Sequence, residues 1–147
     1  MRALGIDLGT KRIGVALCNS EGTLATPYEV VARSGDRARD HQVIAAMAEE
    51  AGAEALVVGL PLSLDGHVGA AATSALAEAD ELAATTGLPV EMWDERLTTV
   101  SADRDLMALD MKAGARRRVV DKVAAAVMLQ AWLDHRRHAA APEDTNR

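Results

Sequence analysis

Asp7 interrupts the otherwise apolar run Leu4-Gly5-Ile6-Asp7-Leu8, and a carboxylate inside a central strand is costly unless it is paired or bound to a cation. Gly5 and Gly9 flank it and leave the backbone open to close approach by a phosphate or another ligand. The plain alternative is an Asp that shapes or caps a turn. Asp94-Glu95-Arg96 directly follows a short apolar strand, at the strand end where open α/β sheets place ligands; a merely polar strand end is the competing reading. Neighbouring strand residues face opposite ways, so Asp94 and Glu95 are not both expected at one site, and Glu95, with the longer side chain at the strand terminus, can reach a metal shared with Asp7. Asp94 is then expected to turn away towards Thr98-Thr99. Arg96 would either meet a substrate phosphate or brace a carboxylate. Asp121 lies about 100° round from Val120 on a helix, at the margin of its apolar stripe. The alternative there is a solvated acid favoured by the helix dipole.

Three carboxylates from separate elements repel one another when they converge without cations, yet they supply the hard oxygen ligands that Mg²⁺ or Mn²⁺ requires. Two such ions, about 4 Å apart, can activate a water and stabilise both the attacking and the leaving oxygen of phosphodiester cleavage. Positive charge gathers in two places, Lys11-Arg12 and the group Lys112, Arg116, Arg117 and Arg118. Each could hold phosphates beside the acids; each could also be a solvated face.

The elements that would position these groups can be read from periodicity. Leu4 to Leu8 and Ile13 to Cys18 form a hairpin around Gly9-Thr10-Lys11-Arg12, and Leu24 to Val31 forms a third strand whose Pro27 suits an edge. Val43, Ile44, Met47, Ala48 and Ala51 recur at helical spacing and stop at Gly52. Ala55 to Leu60 is apolar throughout, as in a strand covered on both faces. A second helical stripe runs from Val68 to Ala83, and Val90 to Trp93 makes a fifth strand. Thr98 and Thr99 can cap a third helix carrying Val100, Leu106 and Met107. Gly114 then breaks the chain before a long helix from about Ala115 to His138. Three antiparallel strands followed by alternating helix and strand predict an α/β fold, a five-stranded mixed sheet with helices on both faces.

With 147 residues, 49% of them hydrophobic, the chain can bury a core as a single domain over residues 1–138, leaving 139–147 as a polar, frayed tail. No stretch approaches the roughly 20 apolar residues of a membrane span, and the start, Met1-Arg2-Ala3-Leu4-Gly5-Ile6-Asp7, places a charge where a signal peptide needs an apolar run. The expectation is a cytoplasmic protein with no membrane partner. Cys18 is the only cysteine, expected to be a small buried hydrophobe, so any metal must be held mainly by oxygen. Trp93 and Trp132 are expected in or near the core, and His135 and His138 on a solvated surface. A net charge of -6 excludes a generally basic coat without deciding what a local patch binds. With two Trp, one Tyr and no Phe, the chain lacks the aromatic platform of a stacking single-strand binder, so recognition of a structured backbone is favoured.

Gly5-Ile6-Asp7-Leu8-Gly9-Thr10-Lys11-Arg12-Ile13-Gly14-Val15-Ala16, Gly59-Leu60-Pro61-Leu62, Asp94-Glu95-Arg96-Leu97-Thr98-Thr99 and Asp121-Lys122-Val123-Ala124-Ala125 occur in this order. Together, over about Leu4 to Leu133, they resemble the YqgF/RuvX family. The resemblance implies a ribonuclease H-like fold and a bacterial nuclease of pre-16S ribosomal RNA maturation, a family earlier assigned as Holliday-junction resolvases by similarity to RuvC. It implies that Asp7 bridges the metals while Glu95 and Asp121 complete the acidic set. Related nucleases often carry a fourth acid, which is not evident near Asp121, so both one and two ions are compatible with the pattern. The partners implied are structured RNA or branched DNA, within ribosomal precursor particles in the first case, with the protein a monomer or homodimer. Two other readings compete. The first motif also resembles a phosphate segment of actin-like sugar kinases, but those clamp nucleotide between two related domains and this chain has room for one. A non-catalytic ribosome-assembly factor is the other; retention of all three acids argues against it.

Overall fold

The structure, a computed structural model, describes residues 1–98 and 113–140, with side chains placed for 1–98 and 120–138. β1 (Ala3–Leu8) runs up the centre of a five-stranded sheet. Gly9 to Lys11 turn the chain into β2 (Arg12–Cys18), antiparallel to β1, with Asp7 opposite Gly14. β3 (Ala25–Ala32) pairs antiparallel with β2 at the sheet edge, where Pro27 withholds no ladder donor the sheet needs. The pairing skips at Tyr28, so the edge strand carries a bulge.

The chain then alternates. α1 (Arg37–Ala51) is capped by Asp36, whose carboxylate accepts from Arg39 N, and ends at Gly52 in the left-handed region at φ 68°. β4 (Ala55–Leu60) lies parallel to β1 on the side away from β2. α2 (Ala70–Thr86) follows, and β5 (Val90–Asp94) completes the order β3-β2-β1-β4-β5. A single 3₁₀ turn, Glu95–Leu97, leaves the sheet. The last described element is α3 (Ala113–Ala140). The mixed α/β sheet expected from the sequence is therefore the one observed.

Strand alternation divides the core into two layers. Leu4, Ile6, Ile13, Val15, Leu56 and Val58 point to the face covered by α1 and α2, against Ile44, Ala48, Ala79 and Leu82. Ala3, Ala16, Cys18, Val57 and Trp93 point to the opposite face, against Ala125, Met128, Leu129 and Trp132 of α3. The second layer uses small sheet residues, which let α3 sit close: a Cβ on Gly5 would lie 2.9 Å from Leu129 Cβ. Cys18 is buried there and accepts the Ala3 N–H, as a small hydrophobe would.

Several local expectations are corrected. Val43 and Val68 are 41% and 48% exposed, because the buried side of α1 turns instead towards Asp40, His41, Ile44 and Ala48, and α2 begins after Val68. Gly114 does not break the chain; it sits in the first turn of α3, where the amide donors lack helical partners and glycine costs little. Arg116, Arg117 and Arg118 lie within that helix, as the expected span from about Ala115 implies. The expected helix from Thr98-Thr99 through Val100, Leu106 and Met107 lies outside the described residues apart from Thr98, as do Lys112 and the tail from 141. Among the described residues no helix is long and apolar enough to cross a membrane.

Candidate functional site

Asp7, Glu95 and Asp121 are set around two glycines of the sheet. Asp7 lies opposite Gly14, and one step beyond the Ile6–Val58 pairing brings it alongside Gly59 of β4. It stands two residues from Gly5, so it faces the α3 side. Above Gly14 passes the backbone of α3 at Asp121: a Cβ there would lie 2.2 Å from the Asp121 carbonyl oxygen. Above Gly59 lies the Glu95 carboxylate: a Cβ there would be 2.4 Å from Glu95 Oε2 and 2.9 Å from Met128 Sδ. Glycines inside otherwise apolar strands thus mark where a helix and a carboxylate must approach the sheet. All three acids are half-buried. A cleft of about 300 Å³ at the carboxyl ends of β1 and β4 is lined by Leu8, Gly9, Pro61 and Glu95 among others.

Asp94 and Glu95 separate as strand alternation requires. Asp94 caps the 3₁₀ turn by accepting from Arg96 N at 3.0 Å and is gripped by the Arg96 guanidinium at 2.7 Å, while Thr99 lies outside the described residues. That hydrogen bond holds the Asp94 carboxyl below the usual range and raises Arg96. The short i to i+2 spacing explains the preference, since the turn folds Arg96 back over Asp94. Arg96 therefore braces a carboxylate here, and also reaches the Leu64 carbonyl at 3.4 Å. Thr98 instead accepts from Trp93 Nε1 at 2.7 Å.

Arg12 sits inside the acidic site. Its Nε donates to Asp121 Oδ2 at 2.5 Å, so one positive group already stands at one of the three carboxylates. Lys11 is exposed and lines an adjoining cleft of about 420 Å³ with Arg33 and Arg37. Nothing is placed for the side chains of Arg116, Arg117 and Arg118. Among the described residues no three His, Cys, Asp or Glu side chains are drawn into a closed ligand set. The fit to a hard divalent cation rests on donor chemistry: carboxylate oxygens near two glycines whose missing Cβ atoms let the Asp121 backbone and the Glu95 carboxylate approach the sheet.

A buried ionic group on the reverse face escaped the sequence reading. Arg33 donates to Glu78 through both terminal nitrogens at 2.9 Å, and Glu78 is also bonded to His41 Nε2 at 2.7 Å. Glu78 and His41 are 4% and 1% exposed. Burial pushes the Glu78 carboxyl up, but the bonds from Arg33 and His41 outweigh it and hold it below the usual glutamate range. Arg33 Nε also donates to Gly9 O at 2.7 Å, and its backbone N–H to Lys11 O at 2.9 Å. The loop between Asp7 and Arg12 is thereby fixed from behind. The available signal was Glu78 at a buried helical position, three residues after Ala75 and four before Leu82. His135 is exposed, yet its ring meets Trp93 edge-on at 5.4 Å.

Residues 1–135 match the model of a family described as RuvX, Holliday junction resolvase. A protein of Leifsonia xyli named "Putative pre-16S rRNA nuclease" is 48% identical over 139 residues, covering 95% of this chain and 89% of that protein. One of Myxococcus xanthus with the same name is 44% identical over 146 residues, covering 99% and 93%. Among solved structures, Thermus thermophilus RuvC in complex with a Holliday junction substrate aligns with a TM-score of 0.61 at 21% identity, over 96% of this chain and 98% of that one. That likeness shows a shared ribonuclease H-like fold.

Proposed function

The chain belongs to the RuvX family, and we propose that it is a nuclease that hydrolyses phosphodiester bonds in a structured nucleic acid, with Mg²⁺ or Mn²⁺ held by Asp7, Glu95 and Asp121. The observation that supports this is the placement of the three acids, on β1, in the turn after β5 and on α3, around Gly14 and Gly59. One divalent cation or two would supply an activated water and charge compensation for the phosphate under attack. Asp7, rising between the two glycines, is central enough to serve as a shared ligand, with Glu95 and Asp121 on either side. Lys11, Arg12 and the basic start of α3 (Arg116, Arg117, Arg118), with Lys112 ahead of it, would hold backbone phosphates. Arg96, committed to Asp94, acts on substrate only indirectly through the shape of the turn that presents Glu95.

For the substrate we favour precursor 16S ribosomal RNA, the target in the names of relatives that match nearly the whole chain. Branched DNA is the second reading, carried by the description of the matching family. The deciding experiment compares cleavage of a precursor 16S RNA segment and a four-way DNA junction by wild type and Asp7→Asn, with Mg²⁺ or Mn²⁺ and with chelator. The expected result is metal-dependent cleavage of the RNA that Asp7→Asn abolishes, since a neutral amide is a poor ligand for a hard cation. Equal cleavage by wild type and Asp7→Asn would remove the acidic site from the chemistry. Cleavage of the junction alone would transfer the reading to DNA.

A further inference from the structure

Arg12 and a divalent cation require the same carboxylate. Arg12 is the first residue of β2, and Asp121 is brought to it by the close passage of α3 over Gly14, two residues further on. The ladder from Leu8–Ile13 to Asp7–Gly14 fixes the β2 backbone there, so the ion pair follows from register. The two side chains nevertheless remain 28% and 25% exposed, so the guanidinium can swing away by side-chain rotation alone. Its charge relieves the repulsion that three converging carboxylates would otherwise suffer.

We propose that Arg12 is a displaceable counter-ion, which neutralises Asp121 until a divalent cation takes that carboxylate and then passes to a phosphate of the nucleic acid. The inference rests on the proposed role of Asp121 as a metal ligand and adds a coupling to it. Once Asp121 serves a cation, the guanidinium loses that anion, and a substrate phosphate can replace it. A planar fork of donors suits phosphate as well as carboxylate. Cation and substrate then bind cooperatively, and by linkage each raises the affinity of the other by the same factor. Without substrate, Arg12 holds the cation affinity down.

Calorimetric titration of the full chain with Mn²⁺ tests this, first without nucleic acid and then with a phosphorothioate RNA hairpin that resists cleavage. Arg12→Gln, with Arg12→Ala beside it, should bind Mn²⁺ up to about fivefold tighter than wild type in the absence of RNA, the range expected for losing a part-exposed ion pair. Lys11→Gln, which removes a neighbouring charge that holds no carboxylate, should shift the affinity less. RNA should raise the Mn²⁺ affinity of wild type, and this gain should shrink in both Arg12 variants. Equal shifts in the Lys11 and Arg12 variants, or weaker Mn²⁺ binding without Arg12, would overturn the inference. Loss of Mn²⁺ binding in Asp121→Asn with no change in Arg12→Gln would overturn it while leaving the metal site intact. Absence of Mn²⁺ binding in wild type and Arg12 variants alike would overturn both.

Discussion

Gly14→Ala and Gly59→Ala add the same methyl group to the same floor, yet the structure predicts opposite consequences. At Gly59 the new Cβ would lie 2.4 Å from Glu95 Oε2 and 2.9 Å from Met128 Sδ, both near the ends of flexible side chains. To reach the 3.4 Å at which ordinary contact begins, the carboxylate must move by about 1 Å, and the methionine can adapt by rotation. Stability should change by less than about 1 kcal/mol, helped by alanine's smaller entropy loss in a strand. Turnover should fall about 100-fold, the scale set by misplacing a reacting group by about 1 Å. At Gly14 the methyl would meet the Asp121 backbone oxygen at 2.2 Å, and no rotamer relieves that. The α3 backbone must retreat by about 1.2 Å, loosening its packing over β1 and β2. Overpacking of this kind costs about 1–3 kcal/mol, which in a chain of this length lowers Tm by about 3–10 °C. Thermal unfolding followed by circular dichroism, with initial cleavage rates measured well below both midpoints, separates the two effects. A Gly59→Ala variant with full turnover, or a Gly14→Ala variant that melts with wild type, would refute the account of the floor.

Glu95→Gln should lose most turnover with little change in melting temperature, whereas Asp94→Asn weakens the exposed pair with the Arg96 guanidinium but keeps an amide oxygen to accept from Arg96 N, so the turn and the turnover should be kept; the reverse pattern would invert the face assignment of β5. Glu78→Gln should destabilise by on the order of 3 kcal/mol, because it leaves Arg33 and His41 without their buried carboxylate. Since the folded Glu78 carboxyl is held below its usual range, its contribution is present above that range and lost as pH falls through the depressed value. Glu78→Gln should therefore flatten the acid limb of Tm against pH, and an unchanged limb would show that other carboxylates set it. Neutralising Lys112, Arg116, Arg117 and Arg118 should flatten the dependence of log affinity on log salt by about 0.7–0.9 for each phosphate no longer held. An unchanged slope in filter-binding measurements would make that segment a solubilising face.

How much of the site could be read in the sequence depended on whether local geometry decided the answer. The β1–β2 hairpin, the capping glycines and the opposite facing of Asp94 and Glu95 follow from periods of two and from backbone conformation, which neighbouring residues already determine. The destinations of Asp94 and Arg96 did not follow, because a two-residue hydrogen bond across a 3₁₀ turn competes with a five-residue reach, and only the observed turn decides between them. The exposed Val43 illustrates the same limit at a helix. Its hydrophobicity placed it on the apolar stripe, but α1 turns its buried side to Asp40, which accepts from Ser34 N, and to His41, whose partner Glu78 is distant in sequence.

The Arg33–Glu78–His41 group shows why polarity alone misleads about position. Read in sequence, an arginine after an edge strand, a histidine in a first helical turn and a glutamate in a second helix are ordinary surface residues, and burying any one of them alone would be prohibitive. Their burial becomes tolerable only jointly, through two bonds from Arg33 and one from His41 to the same carboxylate. The arrangement leaves Arg33 Nε directed at Gly9 O, in the turn that joins the strand of Asp7 to the strand of Arg12. The sheet thus separates two kinds of charge. On the α1–α2 face, a closed ionic group fixes the turn from behind; on the α3 face, the acids and Arg12 remain part-exposed and able to exchange partners. The proposed exchange, in which the carboxylates accept a cation and Arg12 changes partners, needs a rigid backbone beneath mobile charges. Glycines that admit α3 and Glu95 from one side, and an arginine that pins the turn from the other, supply that rigidity without adding a side chain to the site itself.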